Sequence, residues 1–262
     1  MPETMTIVYG VFIFLALGMS VFLSSCVFWI LLNRQVSLGK AIQGTIVAGA
    51  LNKIFLTGSG YALASAALKN DSVPLYKSLA SFAALELFSV LPWIIAGLYF
   101  GAQLAARTHW FLIVFFALAF FFILNKRKRL GDFISNAAGY FKGTSRNILA
   151  VAPLALLNII SGVCYYWFLF KVFGVRIPWG EMVKLIAISF TMGYLSPLPS
   201  GLGIKESGMT FLLMQTGVPF KQSVALAVAD RLVITLFYAA CGFLCGWGVI
   251  SDVIKTRSLK KK

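Results

Sequence analysis

The chain has 262 residues, of which 60% are hydrophobic and only 12% charged. Soluble domains lie nearer half apolar and a quarter charged, so intrinsic disorder is excluded and a soluble fold is disfavoured. Twenty-three Lys and Arg against eight Asp and Glu leave a formal charge of +15. That excess on a soluble domain would point to nucleic acid. On apolar runs long enough to cross a bilayer it points to membrane topology and anionic lipid, and nucleic acid is not expected as a partner.

The first apolar run, Ile7 to Leu32, exceeds a signal-peptide core and reads as a retained transmembrane helix. Glu3 precedes it, and Arg34 and Lys40 follow. The positive-inside bias therefore puts the N-terminus outside and 33–40 in the cytoplasm. Residues 41–69 are apolar but interrupted by Asn52 and Lys53, then by Gly58, Ser59 and Gly60. A continuous span would hold Lys53 deep in hydrocarbon at about 3 kcal/mol. A re-entrant pair of half-helices avoids this if it is buried in protein or lines a wet cavity. Lys69, Asp71, Pro74 and Lys77 form a polar turn before a span at 78–101 that contains Glu86 and Pro92. Arg107 and His109 mark a short loop, and 110–124 is an aromatic, uncharged span. Lys126 to Arg129, with Lys142 and Arg146, make 125–147 the clearest cytoplasmic loop.

The second half opens with a span at 148–170, followed by Lys171 and Arg176. Residues 181–217 are interrupted at Ser196-Pro-Leu-Pro-Ser-Gly-Leu-Gly-Ile-Lys-Glu206, where Pro197 and Pro199 forbid a continuous helix. The last span, 222–250, carries Asp230 and Arg231 in its first third, and the tail 251–262 is basic. With both interrupted regions re-entrant, five full spans result, N-terminus out and C-terminus cytoplasmic. Lys171 and Arg176 then lie outside, against the charge bias.

Sliding the chain along itself by 145 residues matches Gly58 to Gly203, Val73-Pro74 to Val218-Pro219, Gly97 to Gly242 and Gly101 to Gly246. Eleven of the 44 positions from 58 to 101 are identical. Both copies read as interrupted helix, Gly-rich break, short half-helix, Val-Pro turn and charged span. Three spans separate them, so they enter from opposite faces. The expected fold class is all-α: a polytopic integral membrane protein built as an inverted-topology repeat with two broken, re-entrant helical hairpins. It forms one transmembrane domain over 1–262. The first repeat and a linking span occupy 7–124, the basic loop 125–147, the second repeat 148–250 and the tail 251–262.

Pro199-Ser-Gly-Leu-Gly-Ile-Lys-Glu206-Ser-Gly resembles the P-x-G-(L/I)-G-x-(R/K)-E-x-(G/A) motif of the lysylphosphatidylglycerol synthase transmembrane region. This is also called the flippase-like domain family and includes YbhN-like proteins. Leu51-Asn-Lys-Ile-Phe-Leu-Thr-Gly-Ser-Gly-Tyr61 resembles its first-repeat segment, with Leu56 and Tyr61 where proline and glutamate are common. The resemblance covers most of 10–250. It implies a prokaryotic plasma-membrane protein that moves an aminoacylated phospholipid or a lipid-linked precursor between leaflets. In fused members a soluble domain charges phosphatidylglycerol with an amino acid. No hydrophilic loop here is long enough to hold such a domain, so an enzyme is not expected.

Broken helices expose backbone N–H groups, and helix N-termini attract phosphate. Gly201 and Gly203 let a head group approach the backbone, and Lys205 stands in the first turn of the next half-helix. Glu206 suits a cationic head group or a basic partner, with Asp230 and Arg231 as candidates on the last span. Asn52, Lys53, Gly58 and Gly60 form the counterpart break. Glu86 is the repeat-equivalent of Arg231, which suggests an Arg231–Glu86 pair across the pseudo-two-fold axis. The alternative is structural: Lys205, Glu206, Asp230 and Arg231 as a network closing the loop, with Asn52 and Lys53 as loop supports. Gly18 and Ser20 read as helix-packing positions, and Lys126 to Arg129 as a topology determinant.

Four cysteines inside apolar runs and a single histidine, His109, offer neither a metal set nor a catalytic triad. No catalytic residue, metal or cofactor is expected. No phosphate-binding Gly-x-x-x-x-Gly-Lys motif is present, so any drive would come from an ion gradient, the membrane potential or the lipid gradient. The expected function is that of a lipid flippase or scramblase. Its partners would be membrane lipids, an anionic phospholipid or a polyprenyl-phosphate lipid. The alternative is a non-transporting accessory subunit of a lipid- or glycan-modifying enzyme, with a glycosyltransferase or synthase as partner. A homo-oligomer stays open.

Overall fold

A computed structural model describes residues 3–54, 59–68, 73–108, 145–196 and 201–259. The elements in chain order are α1 (Glu3–Leu31), α2 (Leu38–Ile54), α3 (Ser59–Leu68), α4 (Leu75–Thr108), α5 (Ser145–Val172), α6 (Trp179–Leu195), α7 (Ile204–Gln215) and α8 (Phe220–Leu259). No strand occurs among the described residues. Thr4–Leu31, Leu75–Leu104, Leu149–Val172 and Phe220–Gly246 are each long and apolar enough to cross a bilayer. The chain is an all-α polytopic membrane protein. The expected span at 110–124, His109 and the Lys126 to Arg129 cluster lie outside the described residues.

Two boundaries differ from expectation. The loop placed at Arg107 is the last turn of α4, and the tail from 251 continues α8 to Leu259. Both stretches lack Gly and Pro, so nothing in their backbone chemistry ends a helix.

Short signals set the other ends. Ser37 caps α2, its Oγ accepting from the Lys40 N–H at 3.4 Å. Pro74 and Pro219 stand just before α4 and α8, and their carbonyls accept the first intrahelical bonds, from Ser78 at 3.2 Å and Ser223 at 2.9 Å. Proline presets φ at a helix start and loses nothing there by lacking an N–H. α7 ends at Gly217, φ +86°, with Val218 N–H bonding the Leu213 carbonyl and Gly217 N–H that of Met214. This is a Schellman stop, which needs the left-handed glycine.

The 145-residue repeat is visible in the element register. Ser59 and Ile204 open α3 and α7 (204 − 59 = 145), and Leu75 and Phe220 open α4 and α8 (220 − 75 = 145). Equivalent helices α1 and α5 run antiparallel: Tyr9 sits beside Trp167, Phe12 stacks on Phe168 and Ser20 bonds Asn158. Between these contacts Ser161 Oγ donates to the Ala16 carbonyl at 2.8 Å, and those two positions are themselves repeat-equivalent. The α1–α5 crossing therefore sits on the pseudo-two-fold axis. The remaining contacts are reciprocal, α4 packing on α6 as α8 packs on α2. An inverted duplication requires this arrangement.

Two buried clusters follow. One gathers Val27, Phe28 and Leu31 of α1 with α2, α3, α4 and Val151 of α5. The other gathers Tyr165, Leu169 and Phe170 of α5 with α6, α7, α8 and Ile13 and Leu17 of α1. Each repeat thus has its own core, and α1 and α5 each serve both. Lipid tails are as apolar as leucine, so close backbone approach holds these helices together. Gly97 supplies one such contact, since a Cβ there would stand 2.5 Å from the Ala187 carbonyl of α6. Gly97→Ala should lower stability by about 1–3 kcal/mol, read as melting temperature in detergent. Gly10→Ala, which meets nothing within 4 Å, is the control that should leave it unchanged. Gly18, expected to pack, likewise faces open space.

Candidate functional site

Each repeat folds its interrupted region into a helical hairpin. In the second, α6 ends at Leu195, and Ser196 is extended at φ −64°, ψ 137°. Gly201, φ +64°, returns against α6 so closely that a Cβ would lie 2.6 Å from Gly193 Cα. Gly203, φ +80°, then starts α7. Only glycine meets both demands at 201. Pro197, Pro199 and Gly58 lie outside the described residues. In the first hairpin a Cβ on Gly60 would lie 2.9 Å from Asn52 Oδ1 and from the Ala48 carbonyl carbon. Asn52 Oδ1 accepts the Gly60 N–H at 2.9 Å and ties the two half-helices together.

Positions 48 and 193 are repeat-equivalent, as are 60 and 205. Both pairs touch, with the small residue exchanged. Gly60 lies against the Ala48 backbone carbonyl, whereas Lys205 faces Gly193, whose absent side chain leaves the lysine room. That exchange lets Lys205 reach inward from the first turn of α7. Its Nζ lies 2.7 Å from Asp230 Oδ2 and 3.0 Å from the Tyr166 hydroxyl, and 4.6 Å from the Phe190 ring centre. Tyr165 donates to Asp230 Oδ1 at 3.0 Å, so each oxygen of the carboxylate, 3% exposed, has a donor. A buried ion pair is tolerable only with its remaining lone pairs filled in this way.

Glu206 faces the other side of α7. Its Oε2 accepts the Gly203 N–H at 2.8 Å and its Oε1 lies 3.5 Å from Arg231 Nη1. A carboxylate at this end also suits the helix dipole. In the first repeat the equivalent residues are Tyr61 and Glu86, and the Tyr61 hydroxyl donates to Glu86 Oε1. The Glu206–Arg231 ion pair therefore has a neutral–anionic counterpart at the same two positions. These pairs form within each repeat, where sequence reasoning looked for Arg231–Glu86 between repeats.

The hairpins enclose a cavity of about 510 Å³, lined from all eight helices. Lys53, Lys205 and Arg231 line it, with Glu86 as the carboxylate. Asp230 and Glu206 sit behind their cations. Asn158 bridges Ser20 and Ser24 on one wall, at 2.6 and 3.2 Å. Lys205 and Arg231 have carboxylate partners. Lys53, in the last turn of α2, makes no hydrogen bond or ion pair among the described residues. Of the sequence candidates, Asn52, Lys53, Glu86, Gly201, Lys205 and Arg231 line this cavity, Gly60, Glu206 and Asp230 contact those lining residues, and Gly203 is exposed at the start of α7. Tyr61, Asn158, Tyr165 and Tyr166 were missed as contributors. Asn158 and the Tyr165-Tyr166 pair had a readable signal, as polar atoms within an apolar span.

Residues 3–242 match the family described as the lysylphosphatidylglycerol synthase transmembrane region. The chain belongs to that family. A "UPF0104 membrane protein" of Methanothermobacter thermautotrophicus is 28% identical over 138 residues, covering 50% of this chain and 41% of the relative. The chain thus spans well under half the length of this curated relative. No solved structure matches it. In this member of the synthase transmembrane-region family, the second glycine motif is legible in physical terms. Gly201 closes the hairpin, Gly203 starts the half-helix, and Lys205 and Glu206 anchor it to Asp230 and Arg231 of α8.

Proposed function

We propose that the chain moves a phosphate-bearing lipid between membrane leaflets, the head group passing through the central cavity while the acyl chains stay in the bilayer. The observation that supports this most is the Lys53 ammonium, which lines the cavity beside Lys205 and Arg231 with no hydrogen bond or ion pair among the described residues. An ammonium placed so is costly unless an anion or water visits it. In this reading both hairpins are re-entrant and meet near the midplane, as broken helices do in inverted-repeat transporters. The chain lies in a prokaryotic plasma membrane, N-terminus outside and C-terminus cytoplasmic. Its substrate is an anionic phospholipid, plain or aminoacylated, or a polyprenyl phosphate, and it carries out no covalent chemistry.

The test is leaflet translocation in proteoliposomes with phosphatidylglycerol, its aminoacylated form and a polyprenyl phosphate, against phosphatidylcholine. The expected result is protein-dependent translocation of at least one of the first three, well above phosphatidylcholine. Rates equal to protein-free vesicles for all three would overturn the reading.

A further inference from the structure

A second recess, of about 370 Å³, lies between the end of α5 and the start of α6, away from the central cavity. A Schellman stop builds it. Gly174, φ +67°, donates to the Lys171 carbonyl at 3.1 Å, and Val175 N–H bonds the Phe170 carbonyl at 2.9 Å. The turn buries Val175 and brings Arg176 back to the recess that Lys171 also lines. Trp167 and Trp179 form one wall, stacked 5.9 Å apart at 12°, with Lys171 Nζ 5.4 Å from the Trp167 ring centre.

The charges are unbalanced. Glu181, the neighbouring carboxylate, is taken by Lys184 at 2.7 Å. Neither Lys171 nor Arg176 forms an ion pair among the described residues. From the adjoining α8, Gln222 bonds the Phe173 carbonyl, and next to it stands another cation, Lys221. These are the basic residues that the positive-inside bias does not explain. Paired tryptophans beside cations at the ends of spanning helices are the composition of a membrane–water boundary.

We propose that this recess binds the phosphate of an anionic phospholipid head group from the surrounding bilayer, through Lys171 and Arg176. The Trp167–Trp179 stack lies along the glycerol and upper acyl chain. The site is separate from the translocation cavity and does not depend on it.

The experiment uses the full chain in phosphatidylcholine vesicles carrying a small fraction of brominated phosphatidylglycerol or brominated phosphatidylcholine. Bromine quenches nearby tryptophan, so excess quenching by the anionic lipid reports its enrichment. Quenching that disappears in W167F/W179F belongs to this recess. The expected result is strong enrichment in wild type, reduced about 25-fold in K171Q/R176Q and retained in K171R/R176K. Melting temperature checks the fold, and if K171Q/R176Q fails to fold, loss of wild-type enrichment at high salt replaces it. Equal enrichment in wild type and K171Q/R176Q, or in low and high salt, would overturn the proposal. So would displacement by soluble glycerol phosphate at constant ionic strength, which would assign the site to a free phosphate. Enrichment without translocation would leave this site standing while the transport reading fell.

Discussion

Lys53→Met should leave the protein folded, with a melting temperature equal to or above that of wild type, and reduce anionic-lipid translocation to the protein-free rate. The two halves of this expectation have one cause. The ammonium lines the cavity without a hydrogen bond or ion pair among the described residues, so its removal breaks no direct contact, although the Glu86 carboxylate of the same cavity loses a nearby positive charge. A large unpaired-charge penalty disappears, and methionine fills similar space. Its position in the last turn of α2 gains from the helix dipole, a contribution of about 0.3–1 kcal/mol, and from the field of the Glu86 carboxylate. A residue that stability does not require, at such electrostatic cost, is accounted for by a visiting anion. The readout is initial translocation rate beside melting temperature. Full translocation in Lys53→Met would sink the assignment, and a collapsed melting temperature would return Lys53 to a loop-supporting role.

Lys205 should behave in the opposite way. Lys205→Met strands Asp230, 3% exposed, with only tyrosine donors, and Asp230→Asn strands the ammonium. Breaking a buried pair from one side costs about 3–5 kcal/mol, because an uncompensated charge remains. Each single variant should unfold well before wild type, and the double variant K205M/D230N should recover most of the loss. That non-additivity, measured as a double-mutant cycle of unfolding free energies in mixed micelles, is the signature of a coupled pair. Additive losses would show that the two charges act independently. The folded double variant also separates the two roles of the motif. Normal translocation would make the pair purely structural, and a folded, inactive double variant would place Lys205 in the substrate path.

Much of this architecture is legible in the residues. Uncharged runs mark the spans, the Val-Pro turns mark the starts of α4 and α8, and the glycine breaks mark both hairpins. Each is a local backbone signal, and the 145-residue offset survives because it rests on glycine and proline geometry. Partner choice is not local. Arg231 and Glu86 are repeat-equivalent and opposite in charge, which suggested a pair across the axis. Each instead finds a partner within its own repeat, Glu206 and Tyr61, on the half-helix that precedes its span. Tyr165 and Tyr166 belong to the Asp230 site only because α5 packs antiparallel to α1 beside α8, a consequence of tertiary packing. The long α4 shows the reverse error, where Arg107 suggested a loop that the good helix formers around it override.

The exchange of small residues between the hairpins bears on how the halves can change. Any side chain at 60 would meet the backbone carbonyl carbon of residue 48 at 2.9 Å, and a methyl group at 193 would crowd Lys205, its Cβ lying 3.1 Å away. Neither half takes on the other's character by exchanging these residues, because at 60 the obstacle is backbone, which no substitution at 48 removes. A chimera in which one hairpin replaces the other must therefore carry the whole hairpin backbone, since exchanging the residues at these positions alone leaves the clash in place.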